Sequence, residues 1–538
     1  MFRLGRASIV FNQLKIRVSP RPFFSSFPSS AFATTCPLPR RALCTMVESQ
    51  DNLFDYTSGR WVYNDALHHK ERKVAFDVDG LRRLAAESVD QNLTDVVSLT
   101  KLAEGGFNRT FVVALRGGRQ VVARIPYPVT GPNYYAVASE VATIEYLRSR
   151  GIPAPEIYGY SADSDNAAGT PYILMEFVQG AKLSEVWPGL GDQEVISVKV
   201  APGLGVPLED RRFCVGPDTK LALWYGRRTE LDVHRGPYQS AEAALAAPAH
   251  KEIAYLKRFG QPLLPLRRER RPSYKYQPQS PSYHVENLER YLSITSSLVP
   301  KDPALSRFCI RHPDLQPNNI FVSRSPDSGC DVVSLFDWQH TSILPNHGDS
   351  VSQSMMPPSL PENFNELRGA KRASEVYLYR LRLVHYHYVT STKECNQLHY
   401  AAFTDDLYAL RGRLFLHAGA PWEGESSELR AALIQATERW DELTGGGVPC
   451  PFGFDAKDLR EMAELNKELS QASRGFEFIQ SVCGVGEDGW VPTEDYEFAV
   501  ASLKERKEQA LGWAESAKER EEVMAHWPWD DMNEEMYM

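Results

Sequence analysis

No apolar run in the 538-residue chain approaches the ~20 residues that a membrane-spanning helix requires. Cysteine is sparse. The eight cysteines stand at 36, 44, 214, 309, 330, 395, 450 and 483, and none forms a C-x-x-C pair. That spacing speaks against a zinc site and a disulfide framework, and it fits a reducing compartment. There is no excess of positive charge: 60 Lys and Arg against 69 Asp and Glu give a net charge of −9. Nonspecific binding to nucleic acid is therefore not expected. No internal repeat is present, and no Ser-His-Asp or thiol arrangement marks a nucleophilic enzyme. What remains is ordinary globular composition, 43% hydrophobic and 24% charged, in a chain long enough for two or three domains.

Acidic residues are missing altogether from residues 1–45, where Arg3, Arg6, Lys15, Arg17, Arg21, Arg40 and Arg41 alternate with serines; the first acid is Glu48. Basic, Ser-rich and acid-free, with no apolar core of a secretory signal, is the composition of a mitochondrial transit peptide. A mitochondrial destination, the matrix in particular, is the expectation. Met46 offers a second start without the leader.

Beyond this segment the punctuation divides the chain into an N-terminal extension (46–95), a strand-rich unit (96–180), a mainly helical unit (181–445) and a C-terminal helical segment (446–538). Short β-branched runs near Val96, at Phe111–Leu115 and at Gln120–Ile125 are separated by glycine pairs. Asn133–Arg150 reads as a helix closed by Gly151, and Pro171–Val178 as another strand. Pro188–Pro217 is Gly- and Pro-rich without a period, and 264–283 is basic, Pro-rich and loop-like. Helices are expected at about 79–91, 240–260, 284–299, 362–390, 402–417, 426–443, 456–473 and 495–525. The last is highly charged, and its start is signalled by Thr493 as a cap followed by two acids. The fold class this order implies is α+β.

The chemistry concentrates in Arg311-His312-Pro313-Asp314-Leu315-Gln316-Pro317-Asn318-Asn319-Ile320, followed by a strand, a turn at Ser325–Gly329, and Leu335-Phe336-Asp337-Trp338. A lone His-x-Asp is a weak signal. The full string is that of a phosphoryl-transfer site: Asp314 to orient a hydroxyl and take its proton, Asn319 and Asp337 to hold magnesium against nucleotide phosphates. A hairpin between Asn319 and Asp337 brings both to one mouth of a cleft.

The upstream half supplies complementary parts. Gly105 and Gly106 form a turn between two strands, with Asn108 beside them, where backbone N–H groups can approach phosphate; read alone it is a hairpin turn. Arg124 is a single cation in an apolar strand and needs a partner. At about 100° per residue Glu140 falls near the apolar face of Val137, Val141, Ile144 and Leu147, whereas Glu145 falls off it. The strand ending in Glu176-Phe177-Val178 leads into the segment that would hold an adenine edge.

Taken together, the strings Tyr56-Thr57-Ser58-Gly59-Arg60-Trp61, Glu104-Gly105-Gly106-Phe107-Asn108-Arg109, Ala123-Arg124-Ile125-Pro126, Ser139-Glu140-Val141-Ala142-Thr143, His312-Pro313-Asp314-Leu315 and Phe336-Asp337-Trp338 resemble the aminoglycoside phosphotransferase and choline kinase group. Within it they resemble a fungal branch that includes the altered inheritance of mitochondria protein 9 type. The resemblance covers roughly residues 50–445. It implies a protein kinase-like two-lobed fold, with ATP and Mg2+ as cofactors and a small hydroxyl-bearing molecule as acceptor. It implies Asp314 as catalytic base, Asn319 and Asp337 as metal ligands, and His312 as a brace of the catalytic loop. It also puts Arg124 where many kinases have lysine. Two departures stand out: Phe107 and Asn108 are larger than the residues usual in the glycine loop, and the irregular Pro188–Pro217 stretch shortens the expected helical spine.

The acceptor site is the least legible part. Tyr377, Tyr379, His385, Tyr386, His387 and Tyr388 lie on one helix, where aromatics either pack a core or cage a quaternary ammonium. The alternative to an enzyme is a non-catalytic kinase-like protein that binds a nucleotide or a partner in the mitochondrion.

Overall fold

The computed structural model describes residues 53–186, 212–303, 305–325, 329–345, 357–361, 363–405 and 407–538. The acid-free segment 1–45, most of the irregular 188–217 stretch and the tip of the turn after Ser325 lie outside these residues.

Among the described residues, strand β1 (Gly59–Trp61) is followed by helices α1 (Asp65–Glu71) and α2 (Val78–Glu87). Strands β2 (Val96–Glu104), β3 (Asn108–Leu115) and β4 (Gln120–Pro126) follow, then helix α3 (Asn133–Ser149) and strands β5 (Ile157–Ser161) and β6 (Tyr172–Glu176). These five strands make one antiparallel sheet in the order β2-β3-β4-β6-β5. Side-chain alternation with period two decides what each strand residue meets. Val121, Ala123 and Ile125 of β4 pack with Phe111 and Val113 of β3 and with Leu81 and Ala85 of α2. Val122, one step out of phase, packs on the opposite face with Val137 and Val141 of α3 and with Ile173 and Met175 of β6. Arg124 has the same parity as Val122 and so emerges on the α3 face.

The core on the α2 side also contains Leu53, Tyr56, Trp61, Val74 and Phe76. One cluster of buried side chains therefore spans both sides of position 95, and the N-terminal extension is a layer of the sheet's own sandwich.

After β6 the chain crosses through Gly180 into β7 (Ala181–Lys182) and α4 (Leu183–Val186). Strand β7 pairs with β9 (Ile320–Ser325), which pairs with β10 (Gly329–Leu335). Gly180 is required at this crossing: a Cβ there would lie 2.9 Å from the Val322 carbonyl oxygen and 3.3 Å from a Val333 methyl. Between them in sequence come α5 (Ala241–Phe259), α6 (Pro281–Leu298) and β8 (Phe308–Arg311), the last paired with β11 (Ser342–Pro345). Ser240 caps α5 by accepting from Ala243 N–H, and Ser280 precedes Pro281 at the first position of α6. Helices α7 (Gly369–Cys395), α8 (Gln397–Thr404), α9 (Tyr408–Ala418), α10 (Ser427–Glu438) and α11 (Trp440–Thr444) follow. The second large core joins α5 and α6 to α9, α10 and α11 through Leu245, Leu288, Tyr291, Leu414 and Leu433. The architecture is α+β, with a strand-rich lobe and a mostly helical lobe.

Helix α12 (Ala456–Cys483), strand β12 (Trp490–Pro492) and helices α13 (Tyr496–Trp513) and α14 (Ala517–Ala525) complete the chain. Here the sequence expectations need correction. Residues 495–525 are two helices. Ser516, with extended backbone, accepts from Glu519 N–H and starts α14 afresh, a cap visible in the sequence as Ser-x-x-Glu. Helix 402–417 is likewise two, divided where Asp405 Oδ1 accepts from Leu407 N–H. Thr493 does not cap α13; its hydroxyl donates to the Thr57 carbonyl oxygen at 3.0 Å. The basic stretch 264–283 contains a 3-10 helix at Arg268–Tyr274 whose arginines are buried. Arg270 pairs with Glu425 at 2.6 Å and Glu428 at 2.8 Å, while Arg271 donates to the Pro265 carbonyl oxygen and the Tyr537 hydroxyl. Those arginines help fasten the C-terminal residues to the helical lobe.

Candidate active site

The β9–β10 hairpin sets the spacing of the site. Its register places Ile320 opposite Leu335, and Phe336 N–H donates to the Asn319 carbonyl oxygen at 2.9 Å. Asn319 and Asp337 thus stand side by side at the same end of the hairpin. Asp337 has φ 63°, in the left-handed region that non-glycine residues seldom adopt, a conformation that costs ~1–2 kcal/mol per residue and that clusters at functional sites.

The loop before β9 is braced by His312. Its Nε2 donates to the Phe336 carbonyl oxygen at 2.7 Å, its Nδ1 accepts from Asp314 N–H at 3.1 Å, and its ring lies 4.4 Å from that of Trp338. This pattern needs the neutral ring protonated on Nε2, and burial holds the His312 pKa below its ordinary value. His312 is thus a positioning residue. Asp314 is exposed; its Oδ2 accepts from Gln316 Nε2 at 2.6 Å and from Asn319 Nδ2 at 3.2 Å. Asn319 Nδ2 also donates to the Asp314 carbonyl oxygen at 2.8 Å. With its nitrogen spent on Asp314, the Asn319 amide keeps its oxygen for a cation. An amide oxygen beside a carboxylate is the donor chemistry a hard divalent ion takes, so these residues fit magnesium.

Across the cleft, Arg124 Nη1 donates to Glu140, whose side chain is 3% exposed, whereas Glu145 is exposed. Arg124 also reaches the other lobe. Its Nη2 donates to Asp337 Oδ1 at 2.5 Å and to Gln339 Oε1 at 3.0 Å. The Asn108 amide completes the cluster: with its oxygen toward the guanidinium it accepts from Nη2 at 2.6 Å and from Nε at 3.1 Å. Burial alone would lower the Arg124 pKa, but Glu140 and Asp337 outweigh it and raise it above its ordinary value. Burial pushes Glu140 up to about 7, against the pull of Arg124 and with a further push from Asp337. The direct bond from Nη1 favours the charged pair.

The structure thus brings Asp314, Asn319, Asp337, Arg124 and Glu140 together. It places Asn108 against Arg124 and Gln339, bridging the lobes. Gly105 N–H donates to the Asn108 carbonyl oxygen at 2.9 Å, which closes the glycine turn, and Gly106 has open space around it. The Phe107 ring stands 5.4 Å from that of His340. Glu176 ends β6, where its carboxylate accepts from Glu156 N–H at 3.1 Å, and Val178 lies in the crossing between the lobes. Among the described aromatics of α7, Tyr377 is 60% exposed, and the Tyr388 hydroxyl sits 3.0 Å from His399 Nε2. His385 lies outside the described side chains.

Gln339 and Glu104 escaped the sequence reading. Gln339 follows Asp337 by two positions, just past the quoted Phe-Asp-Trp string. Glu104 was visible only as the residue before a glycine pair.

Residues 98–202 match the model of the phosphotransferase enzyme family. The match begins in the strand-rich lobe and ends before Asp314, Asn319 and Asp337. Among individual proteins, the chain is 27% identical over 513 residues to a subtelomeric hrmA-associated cluster protein of Aspergillus fumigatus, covering 81% of this chain and 97% of that one. It is 22% identical over 517 residues to the altered inheritance of mitochondria protein 9, mitochondrial, of Yarrowia lipolytica, covering 84% and 86%. A crystal structure of a putative fructosamine-3-kinase from Thermobifida fusca aligns over 74% of this chain and 100% of that chain at 13% identity, with a TM-score of 0.30, too low to carry detail.

Proposed function

We propose that this protein transfers a phosphoryl group from a magnesium-bound nucleotide, ATP by the family resemblance, to a hydroxyl of a small molecule, and that it does so in the mitochondrion. The observation that carries this reading is the grouping of Asp314, Asn319 and Asp337 at one end of the β9–β10 hairpin, facing the Arg124–Glu140 pair of the other lobe. Asp314 orients the acceptor hydroxyl and accepts its proton as the oxygen attacks the terminal phosphorus, whose bond to the bridging oxygen breaks to release the nucleoside diphosphate. Asn319 and Asp337 would hold magnesium, which would supply positive charge to the nucleotide phosphates. Gly105 and Gly106 offer backbone N–H groups to phosphate, and Glu176 and Val178 flank the base at the crossing between lobes. The acid-free leader and the mitochondrial relatives support the location, with the matrix as the compartment.

The engagement of Arg124 by Asp337, Gln339 and Asn108 favours a second reading, a nucleotide-binding protein without turnover. Calorimetric titration of magnesium–ATP, together with turnover against small alcohols and amino sugars, separates the two. Asp314→Asn should keep nucleotide binding and lower turnover by about 10²–10⁴-fold; Asp337→Asn should lose both. Nucleotide bound by the wild type with no turnover on any acceptor supports the second reading, and no binding at all refutes both. A fluorescent fusion of residues 1–45 should enter mitochondria, and cytosolic signal would refute the location.

A further inference from the structure

The Tyr56–Trp61 string has no place in the chemistry above, yet it ends on the glycine loop. Glu104 is the residue before Gly105, and its side chain is 1% exposed. Its Oε2 accepts from Thr57 N–H at 2.8 Å, Ser58 N–H at 2.8 Å, Ser58 Oγ at 2.7 Å and Thr57 Oγ1 at 3.3 Å. Its Oε1 accepts from Lys101 Nζ at 2.7 Å and lies 3.3 Å from Arg109 Nε. Burial would raise the Glu104 pKa, but the bonds from Lys101, Ser58 and Thr57 outweigh it and hold the group ionised.

Glu104 and Arg109 are cross-strand partners on either side of the Gly105–Asn108 loop. Arg109, itself 1% exposed, donates to the Leu53 carbonyl oxygen at 2.9 Å and to that of Arg72 at 3.3 Å. Both stems of the loop are therefore fastened to residues 53–72. That segment is held in turn by the far end of the chain: β1 pairs with β12, Thr493 Oγ1 donates to the Thr57 carbonyl oxygen, and Trp490 Nε1 donates to the Tyr56 hydroxyl at 3.0 Å.

We infer that Glu104 is a positioning residue for the nucleotide loop, and that with Arg109 it transmits the placement of the β1–β12 pair to the backbone N–H groups of residues 105–108. The inference rests on the phosphotransferase reading for its consequence, nucleotide affinity, but its structural part stands apart from that reading. A preformed loop binds phosphate without first losing conformational freedom.

The test uses the full chain. Glu104→Gln keeps the size and removes the charge that gathers five hydrogen-bond donors and faces Arg109. Ser58→Ala removes one donor while leaving Glu104 in place, and serves if the first variant fails to fold. Hydrogen exchange at residues 105–108 should quicken in both. Magnesium–ATP affinity should fall by about tenfold in Glu104→Gln, the worth of one lost charged hydrogen bond, with KM for nucleotide rising more than kcat falls. Thr493→Val, distant from the cleft, should move the same readouts in the same direction by less. Folded Glu104→Gln with unchanged exchange at 105–108 and unchanged nucleotide affinity overturns the inference. If the wild type binds no nucleotide, the phosphotransferase reading falls, and the exchange rates alone decide the fastening: faster exchange upholds it and unchanged exchange overturns it.

Discussion

Replacing Glu140 by alanine removes one of the two carboxylates that face Arg124. Breaking a buried ion pair by deleting one partner costs about 3–5 kcal/mol when the remaining charge is left alone. Arg124 is not left alone. It keeps Asp337 at 2.5 Å and Gln339 at 3.0 Å, although the Asp337 side chain is 41% exposed. The loss should therefore fall at the lower end, about 3 kcal/mol, which is roughly a hundredfold in the ratio of folded to unfolded protein. Glu145→Ala should stay within about 0.5 kcal/mol, as expected of an exposed side chain. The assay is urea unfolding at pH 8, above the value of about 7 to which burial pushes Glu140, so that the wild-type carboxylate is ionised. Because the two carboxylates share one guanidinium, Asp337→Asn should cost more in the Glu140→Ala background than in the wild type, by at least ~0.5 kcal/mol. Equal stability of the wild type and Glu140→Ala would refute the reasoning. Strict additivity with Asp337→Asn would show that the two carboxylates do not share Arg124.

Two further outcomes follow from other parts of the fold. Burial pushes the His284 pKa from 6.5 down to about 4, with its Nδ1 3.0 Å from Ser426 Oγ. A base with a depressed pKa binds fewer protons folded than unfolded, so its contribution is present above pH 6.5 and is lost as pH falls toward 4. Between pH 7.5 and 5 this group alone should remove about 2 kcal/mol, and His284→Gln should flatten that part of the stability profile; an identical profile would show that His284 does not titrate in the window. Gly59→Ala would place a Cβ 2.3 Å from Trp490 Nε1 in the β1–β12 pair. It should destabilise by about 1–3 kcal/mol in thermal unfolding, whereas Gly106→Ala, with open space around it, should stay within about 0.5 kcal/mol; equal melting of the two variants would refute the close approach.

The sequence by itself determined what depends on local spacing. Alternation along β4 put Arg124 on one face of the sheet, the helical period of α3 put Glu140 toward it and Glu145 away, and the Asp314–Asn319 spacing before a strand set the shape of the loop that leads into β9. These are properties of one element at a time, and period and turn chemistry encode them. The Ser516 cap is written in the chain in the same way, as Ser-x-x-Glu. Tertiary structure alone decided the rest. Nothing near Gly59 indicates that it pairs with Pro492, and nothing in a basic, Pro-rich run indicates that Arg268, Arg270 and Arg271 are buried. Both depend on partners hundreds of residues away, whose approach is set by the packing of whole lobes. The bridge from Arg124 to Asp337 and Gln339 is of the same kind. Each residue suits several local structures, and only the closing of one lobe on the other brings the guanidinium within reach of a carboxylate 213 positions along the chain.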